Sequence, residues 1–231
     1  MVPSTLGGMG LFSDFFLARR LRKGPTLLLS YVPDAAAVLN TVRLHAPEVG
    51  PYGDDLKVSD NVWLRGPITL TPELAARAGI PAGWQIAYVA ANIDNEEGGE
   101  YDRPMAVAAG LAERLNGRVH PREPEPPADL ADVAGGRLVP VAELVELLAG
   151  ELPGLTATTT VAGITRLAGG RSPIEILVEE DDGEVTYEIY VEDGVQGFDL
   201  AETARRAALA IAERSGGIAR DHNGFLIRAE R

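Results

Sequence analysis

The sequence predicts an α+β protein in which one β-α-β-β-α-β unit is built twice in tandem. Three observations point there. Apolar segments switch between strand and helix spacing in the same order in each half of the 231-residue chain. A Pro- and Glu-rich stretch separates the halves. And Leu111-Ala-Glu-Arg-Leu-Asn-Gly-Arg-Val-His is echoed without a gap, 100 residues on, by Ile211-Ala-Glu-Arg-Ser-Gly-Gly-Ile-Ala-Arg.

Residues 1–24 form an N-terminal extension. Within it, residues 11–23 have helical spacing, with Leu11, Phe12, Phe15 and Phe16 on one side and Arg19, Arg20, Arg22 and Lys23 near the end. Cations in a last turn complement the helix dipole. Three of the five phenylalanines lie here. A helix docked on the core is expected in preference to a basic amphipathic helix lying on a membrane surface.

The first unit is expected over residues 25–121. Thr26-Leu-Leu-Leu-Ser-Tyr-Val is a continuous apolar run, as a strand covered on both faces requires. Pro33-Asp34 opens a helix over 35–45, which closes before Pro47. Residues 48–60 read as a Gly/Pro/Asp-rich loop. A strand over 61–70 carries Gly66-Pro67, which marks a bulge or an edge. Thr71-Pro72 caps one or two helical turns. Residues 84–93 form a strand, and a helix over 103–116 with Asp102 as its cap stops at Gly117. Residues 118–121 begin a last short strand.

Residues 122–135 are expected to be a linker, because Pro121-Arg-Glu-Pro-Glu-Pro-Pro-Ala-Asp is extended and semi-rigid by composition. The second unit, 136–231, repeats the order. Arg137-Leu-Val-Pro is a short strand and 141–149 a helix. Residues 156–167 are β-branched and strand-like. Two alternating strands flank Asp181-Asp182-Gly183, a strong hairpin signal. A helix from Asp199, with Glu202 completing a capping box, leads to a last strand and the turn His222-Asn223-Gly224. The match of Val32-Pro33 with Val139-Pro140 extends the repeat to the first helix at an offset of 107. This β-α-β-β-α-β order is the ferredoxin-like pattern, an antiparallel sheet with both helices on one face.

Composition narrows the function classes. The net charge of −13 argues against nucleic-acid binding, which needs a basic face. Residues 1–25 carry +3, which leaves −16 for the rest. With no cysteine, disulfides, thiolate catalysis and Cys-based zinc sites are excluded. No apolar run reaches the ~18 residues of a membrane span, and the N-terminus lacks the layout of a signal peptide. A cytoplasmic location is expected. Only Lys23 and Lys57 are lysines, an arginine bias associated with GC-rich bacterial genomes.

The site candidates are few. Asp94-Asn-Glu-Glu-Gly-Gly-Glu-Tyr-Asp is the densest acidic cluster, and Asp94, Glu96 and Glu97 could offer hard oxygen ligands. Its spacing does not fit an EF-hand loop, and a solvated loop is the simpler account. His120 and His222 occupy nearly equivalent places after the repeated helices and are the other metal-ligand candidates, with strand-end exposure the simpler account. No nucleophile elbow, Walker loop or dinucleotide fingerprint is present. No cofactor is expected. Trp63, Trp84, Tyr88, Tyr187 and Tyr190 fall on expected strands and, with Phe12, Phe15 and Phe16, are the candidate interaction residues. The chain therefore reads as a non-enzymatic acidic binding protein, of an inhibitor or immunity type, with a protein partner. The alternative is an enzyme or small-ligand regulatory domain with its site in a cleft between the units.

Overall fold

The computed structural model describes residues 8–52, 55–59, 61–92, 102–159, 164–170, 172–192, 195 and 197–229. The protein is α+β, with two antiparallel six-stranded sheets and six α-helices. Contacts divide it into two units, Met1–Pro124 and Glu125–Arg231.

The first unit runs α1 (Gly8–Lys23), β1 (Thr26–Leu29), α2 (Ala35–His45), β2 (Gly50–Tyr52), β3 (Asp55–Lys57), β4 (Val62–Thr69), α3 (Pro72–Ala78), β5 (Ile86–Asn92), α4 (Asp102–Arg114) and β6 (Arg118–His120). Its strands lie in the order β2-β3-β4-β5-β1-β6. Helix α2 begins where Asp34 accepts the Ala36 amide at 3.1 Å, so one of the unpaired donors of its first turn is satisfied. Thr71 does the same for α3 through the Leu74 amide, with Pro72 at the first helical position.

The unbroken Leu27-Leu28-Leu29 run is buried throughout because helices cover both faces of β1. On one face Leu28 joins Ala87 and Val89 of β5 in a cluster with Ala18 and Leu21 of α1 and with Leu74 and Ala78 of α3. On the other, Leu27 pairs with Tyr88 beneath α4. Helix α1 is thus docked, as expected, but through Ala18 and Leu21. The Phe15 and Phe16 rings are not the contact: each is 60% exposed, and they meet edge to face, 6.0 Å apart. In addition, the Arg22 guanidinium donates to the Arg77 carbonyl at the end of α3.

The second unit runs β7 (Asp129–Ala134), α5 (Val141–Leu148), β8 (Thr156–Thr159), β9 (Thr165–Ala168), β10 (Ile174–Asp181), β11 (Glu184–Val191), a 3-10 turn (Gly197–Leu200), α6 (Ala201–Ser215) and β12 (Ile218–Asp221). The sheet order is β12-β7-β11-β10-β9-β8. Counted within each unit, this is the same order as in the first: an added hairpin, then the second, third, first and fourth strands of a β-α-β-β-α-β element. One face of the second sheet is apolar. There Val133, Ile176, Tyr187 and Ile189 pack with Leu144 and Leu148 of α5 and with Ala204, Ala207, Ala208 and Ile211 of α6.

Five expectations are corrected. The strand of the second unit that pairs first is not Arg137-Leu-Val-Pro but β7, which lies inside the stretch expected to be linker. Its alternation, with Val133 buried and Asp132 facing outward, outweighs the proline-rich composition just before it. The loop at 48–60 holds the β2–β3 hairpin, and 156–167 is the β8–β9 hairpin instead of one strand. Asp199 does not cap α6; it sits in the 3-10 turn, and the helix starts after Leu200 with no side-chain cap. Trp84 precedes β5 and packs against the α1–α3 cluster.

The sequence echo is carried by paired glycines. Residues 116 and 216 are both left-handed, Asn116 at φ 50° and Gly216 at φ 80°, and so end α4 and α6. At the next position the chain presses against the first strand of its own sheet. A Cβ on Gly117 would lie 2.7 Å from the Leu28 carbonyl oxygen, and one on Gly217 would lie 2.7 Å from that of Gly135. No side chain fits at either place without moving backbone.

Candidate functional site

The expected aromatic surface is dispersed by the sheet pleat. Tyr187 is 0% exposed among the core residues, where the Val139 amide donates to its hydroxyl at 2.8 Å and the hydroxyl donates to the Arg137 carbonyl at 3.2 Å. Tyr88 is 4% exposed, and burial pushes its hydroxyl pKa up, with Tyr31 adding to the effect. Trp63 and Trp84 are half-buried. Of the strand aromatics, Tyr190 stands on the face of the second sheet that carries no helix of that unit.

That face is assembled by register. Across it, Arg166 of β9 lies opposite Leu177 of β10, which faces Glu188 of β11, which faces Asp132 of β7, which faces Arg220 of β12. A neighbouring row holds Glu175 opposite Tyr190, and the others hold Glu179 opposite Thr186 and Asp181 opposite Glu184. Six acids thus share a face with two arginines. Period-two alternation in 174–181 and 184–191 signals most of it in the sequence. Asp132 escaped notice because it lay within the expected linker.

Within this face Glu175 is the best-held group. Arg166 grips it with two hydrogen bonds, Nε to Oε2 at 2.8 Å and a terminal nitrogen to Oε1 at 2.5 Å, and the Tyr190 hydroxyl also donates to it. The paired guanidinium holds the Glu175 carboxyl below its ordinary range. Burial, followed by the bond to Glu175, pushes the Tyr190 hydroxyl up to about 12. Asp132 is the opposite case. Burial pushes its carboxyl up, the charges of Glu188 and Asp221 push the same way, and Arg220 opposes them. Across the strands it lies between another acid, Glu188, and Arg220.

A separate pocket of about 350 Å3 lies in the first unit, between the start of α2 and the bulged part of β4. Val32, Pro33, Pro67, Leu70, Ile86 and Tyr88 make it mostly apolar, and Thr69 and Gln85 add polar groups. The bulge is the one expected at Gly66-Pro67, where the β4–β5 register shifts between Arg65 and Ile68. Gly66, at φ 147°, permits it: a Cβ there would sit 2.7 Å from the Tyr88 ring.

Of the metal candidates, the two histidines are among the described residues, one in each unit. His120 Nε2 lies 3.4 Å from the Ala78 carbonyl oxygen in the first unit, and His222 Nε2 lies 2.9 Å from the Asn223 side-chain amide in the second. Asp94, Glu96, Glu97 and the side chain of Phe12 lie outside the described residues. Among the described residues no group of three or more His, Cys, Asp or Glu could hold a metal ion, and no helix is long and apolar enough to cross a membrane. Comparison of the chain with known family models, curated proteins and solved structures gives no match.

Proposed function

We propose that this chain is a non-enzymatic binding protein of the bacterial cytosol that engages a basic protein partner, in the manner of an inhibitor or immunity-type protein. The observation that carries the proposal is the helix-free face of the second sheet, where Glu188 stands directly opposite Asp132. Like charges opposite one another across strands destabilise a sheet. A face that keeps such a pair, with Asp132 already pushed toward its neutral form, gains when a cationic surface covers it. The net charge of −13 draws a basic partner from a distance.

The architecture behind this reading is a tandem ferredoxin-like duplication. In its support, each sheet holds four strands in the order fourth-first-third-second, with one extra hairpin at the same edge. The glycines at 117 and 217 make the same close approach to the first strand.

The test is affinity capture from the native host with the protein and with an Asp132→Asn/Glu188→Gln variant. A basic protein held by the first and released by the second, with affinity that falls as salt rises, supports the reading. Equal capture by both, or capture of acidic proteins, sinks it. A second reading, an enzyme or small-ligand regulatory domain, finds its support in the pocket at Tyr88. A thermal-shift screen with metals, nucleotides and amino acids separates the two. A rise of several degrees that Ala35→Trp abolishes would favour the pocket.

A further inference from the structure

Among the described residues, the second sheet has one edge with little defence. Sheet edges expose unpaired amides and carbonyls, and proteins blunt them with proline, charge, brevity or a covering segment. Three of the four outer strands follow that rule. Strand β2 has three residues, of which the central one is Pro51. Strand β6 also has three, beginning at Arg118 and followed by Pro121. Strand β12 is covered by the chain that follows it. The Asp221 amide donates to the Phe225 carbonyl at 2.9 Å, the Ile227 amide donates to the Ala219 carbonyl at 3.0 Å, and Arg220 bridges to Leu226.

Strand β8, four residues long, has only brevity among these devices. Thr156-Ala-Thr-Thr159 contains no charge and no proline, and all four residues are exposed. It pairs with β9 alone, and among the described residues no strand pairs with its outer side. The Thr156 hydroxyl donates to the Ala168 carbonyl at 3.0 Å, and the Thr159 hydroxyl lies 3.4 Å from that of Thr165. The strand is rich in β-branched residues, which suits pairing with an incoming strand.

We infer that β8 is a docking edge for an extended, basic segment of the partner, which adds to the second sheet as its seventh strand. This rests on the reading of the chain as a binder of a basic protein. The choice of occupant comes from charge. Beside the β8–β9 hairpin, the β9–β10 pairing ends at Thr165 and Val178, and the β10–β11 hairpin continues beyond it as Glu179-Glu180-Asp181-Asp182-Gly183-Glu184. Five acids in that tip favour lysine- or arginine-bearing chain at the neighbouring edge. The same tip, with the chain's net −13, opposes pairing with a second copy. Main-chain hydrogen bonds would provide the attachment, and the acidic tip would select the sequence.

The experiment uses the full chain and two short probe peptides of alternating threonine and valine, one flanked by lysines and one by glutamates. Binding is read by fluorescence anisotropy, and the site by amide exchange. The lysine peptide is expected to bind with salt-dependent affinity and to slow exchange in β8, and the glutamate peptide is not. Thr158→Lys, an edge charge at an exposed position, is expected to weaken the lysine peptide about tenfold or more. Glu180→Gln/Asp182→Asn is expected to weaken it and flatten its salt dependence. The inference is overturned by a lysine peptide that fails to bind, that binds equally after Thr158→Lys, or that is matched by the glutamate peptide. Self-association that Thr158→Lys removes would make a second copy the occupant and overturn it likewise. A basic partner that still distinguishes Asp132→Asn/Glu188→Gln while ignoring Thr158→Lys would refute the edge and leave the acidic face standing.

Discussion

Substituting alanine for Gly217 tests the claim that the two halves are held by the same contact. The added Cβ would meet the Gly135 oxygen at 2.7 Å, Val133 Cγ1 at 2.9 Å and the Ala134 oxygen at 3.0 Å. Ordinary contact for such atoms is about 3.5–4.0 Å, so β7 must move away from the end of α6 by several tenths of an ångström. Two of the three atoms are backbone at the end of β7, which cannot step aside as a long side chain can. Overpacking of this kind costs about 1–3 kcal/mol. Against it, alanine restricts the unfolded chain and returns about 0.4–1 kcal/mol. The net expectation is a loss of about 1–2 kcal/mol. For a unit of this size unfolding by itself, that lowers Tm by about 4–8 °C per kcal/mol. Gly117→Ala should cost a similar amount, because its Cβ would sit 2.7 Å from the Leu28 oxygen and 2.8 Å from the tips of Leu27 and Leu29. Gly216→Asn is the control. No atom lies within 4 Å of its Cβ position, and Asn116 already occupies the equivalent left-handed place in the first unit. Thermal and urea unfolding followed by circular dichroism measures all three. If Gly217→Ala is as stable as the native chain while Gly216→Asn is not, the close-approach account of the repeat is wrong.

Other perturbations probe the remaining links. Tyr187→Phe removes the acceptor of the Val139 amide and should cost about 1–3 kcal/mol in urea unfolding, since a buried donor is left without a partner. Leu21→Ala should destabilise the first unit by about 2–5 kcal/mol, whereas Phe15→Ser/Phe16→Ser should leave Tm nearly unchanged and reduce only surface stickiness. The two carboxyls on the acidic face should respond to pH with opposite sign. Glu175 has a lowered folded pKa, so its stabilisation is present above the unfolded value of about 4.3 and disappears as pH falls through the folded one; Glu175→Gln should therefore be destabilising at neutral pH and neutral in strong acid. Asp132 has a raised folded pKa, so its charge costs stability above the unfolded value of about 3.9, and Asp132→Asn should raise Tm at pH 7 and make no difference near pH 2. Thermal unfolding across the acid range would detect either sign reversed.

Much of the element list could be read from local chemistry, because local chemistry decides it. Asp34 before an alanine run and Thr71 before Pro72 each place a helix start, and each does so by satisfying a nearby amide. Asp182 and Gly183, at φ 49° and 82°, form the tight turn that their residue types favour. Leu27, Leu28 and Leu29 announce a strand covered twice, and it is.

Long-range pairing was not legible in the same way. Strand β7 has its signal in Val133 and Asp132, but only the presence of β11 and β12 on either side makes that short segment a central strand. The two added hairpins lie in stretches of weak pattern, and they are strands because β4 and β10 offer them an edge. Residue type named the aromatics but could not say which side of a pleat each would take. Tyr187 and Tyr190 are three residues apart, so one is sealed under α6 and the other opens onto the acidic face.

The sequence by itself determined that each half mixes strands and helices, that a helix in each half stops at the pairs 116–117 and 216–217, and that the chain is acidic. Those properties are local or additive, and a reader of residues can reach them. Tertiary structure alone decided that Glu188 meets Asp132, that Arg166 grips Glu175, and that β8 is left at an open edge. Each of these depends on strand register, and a shift of one residue would exchange the faces of every side chain concerned.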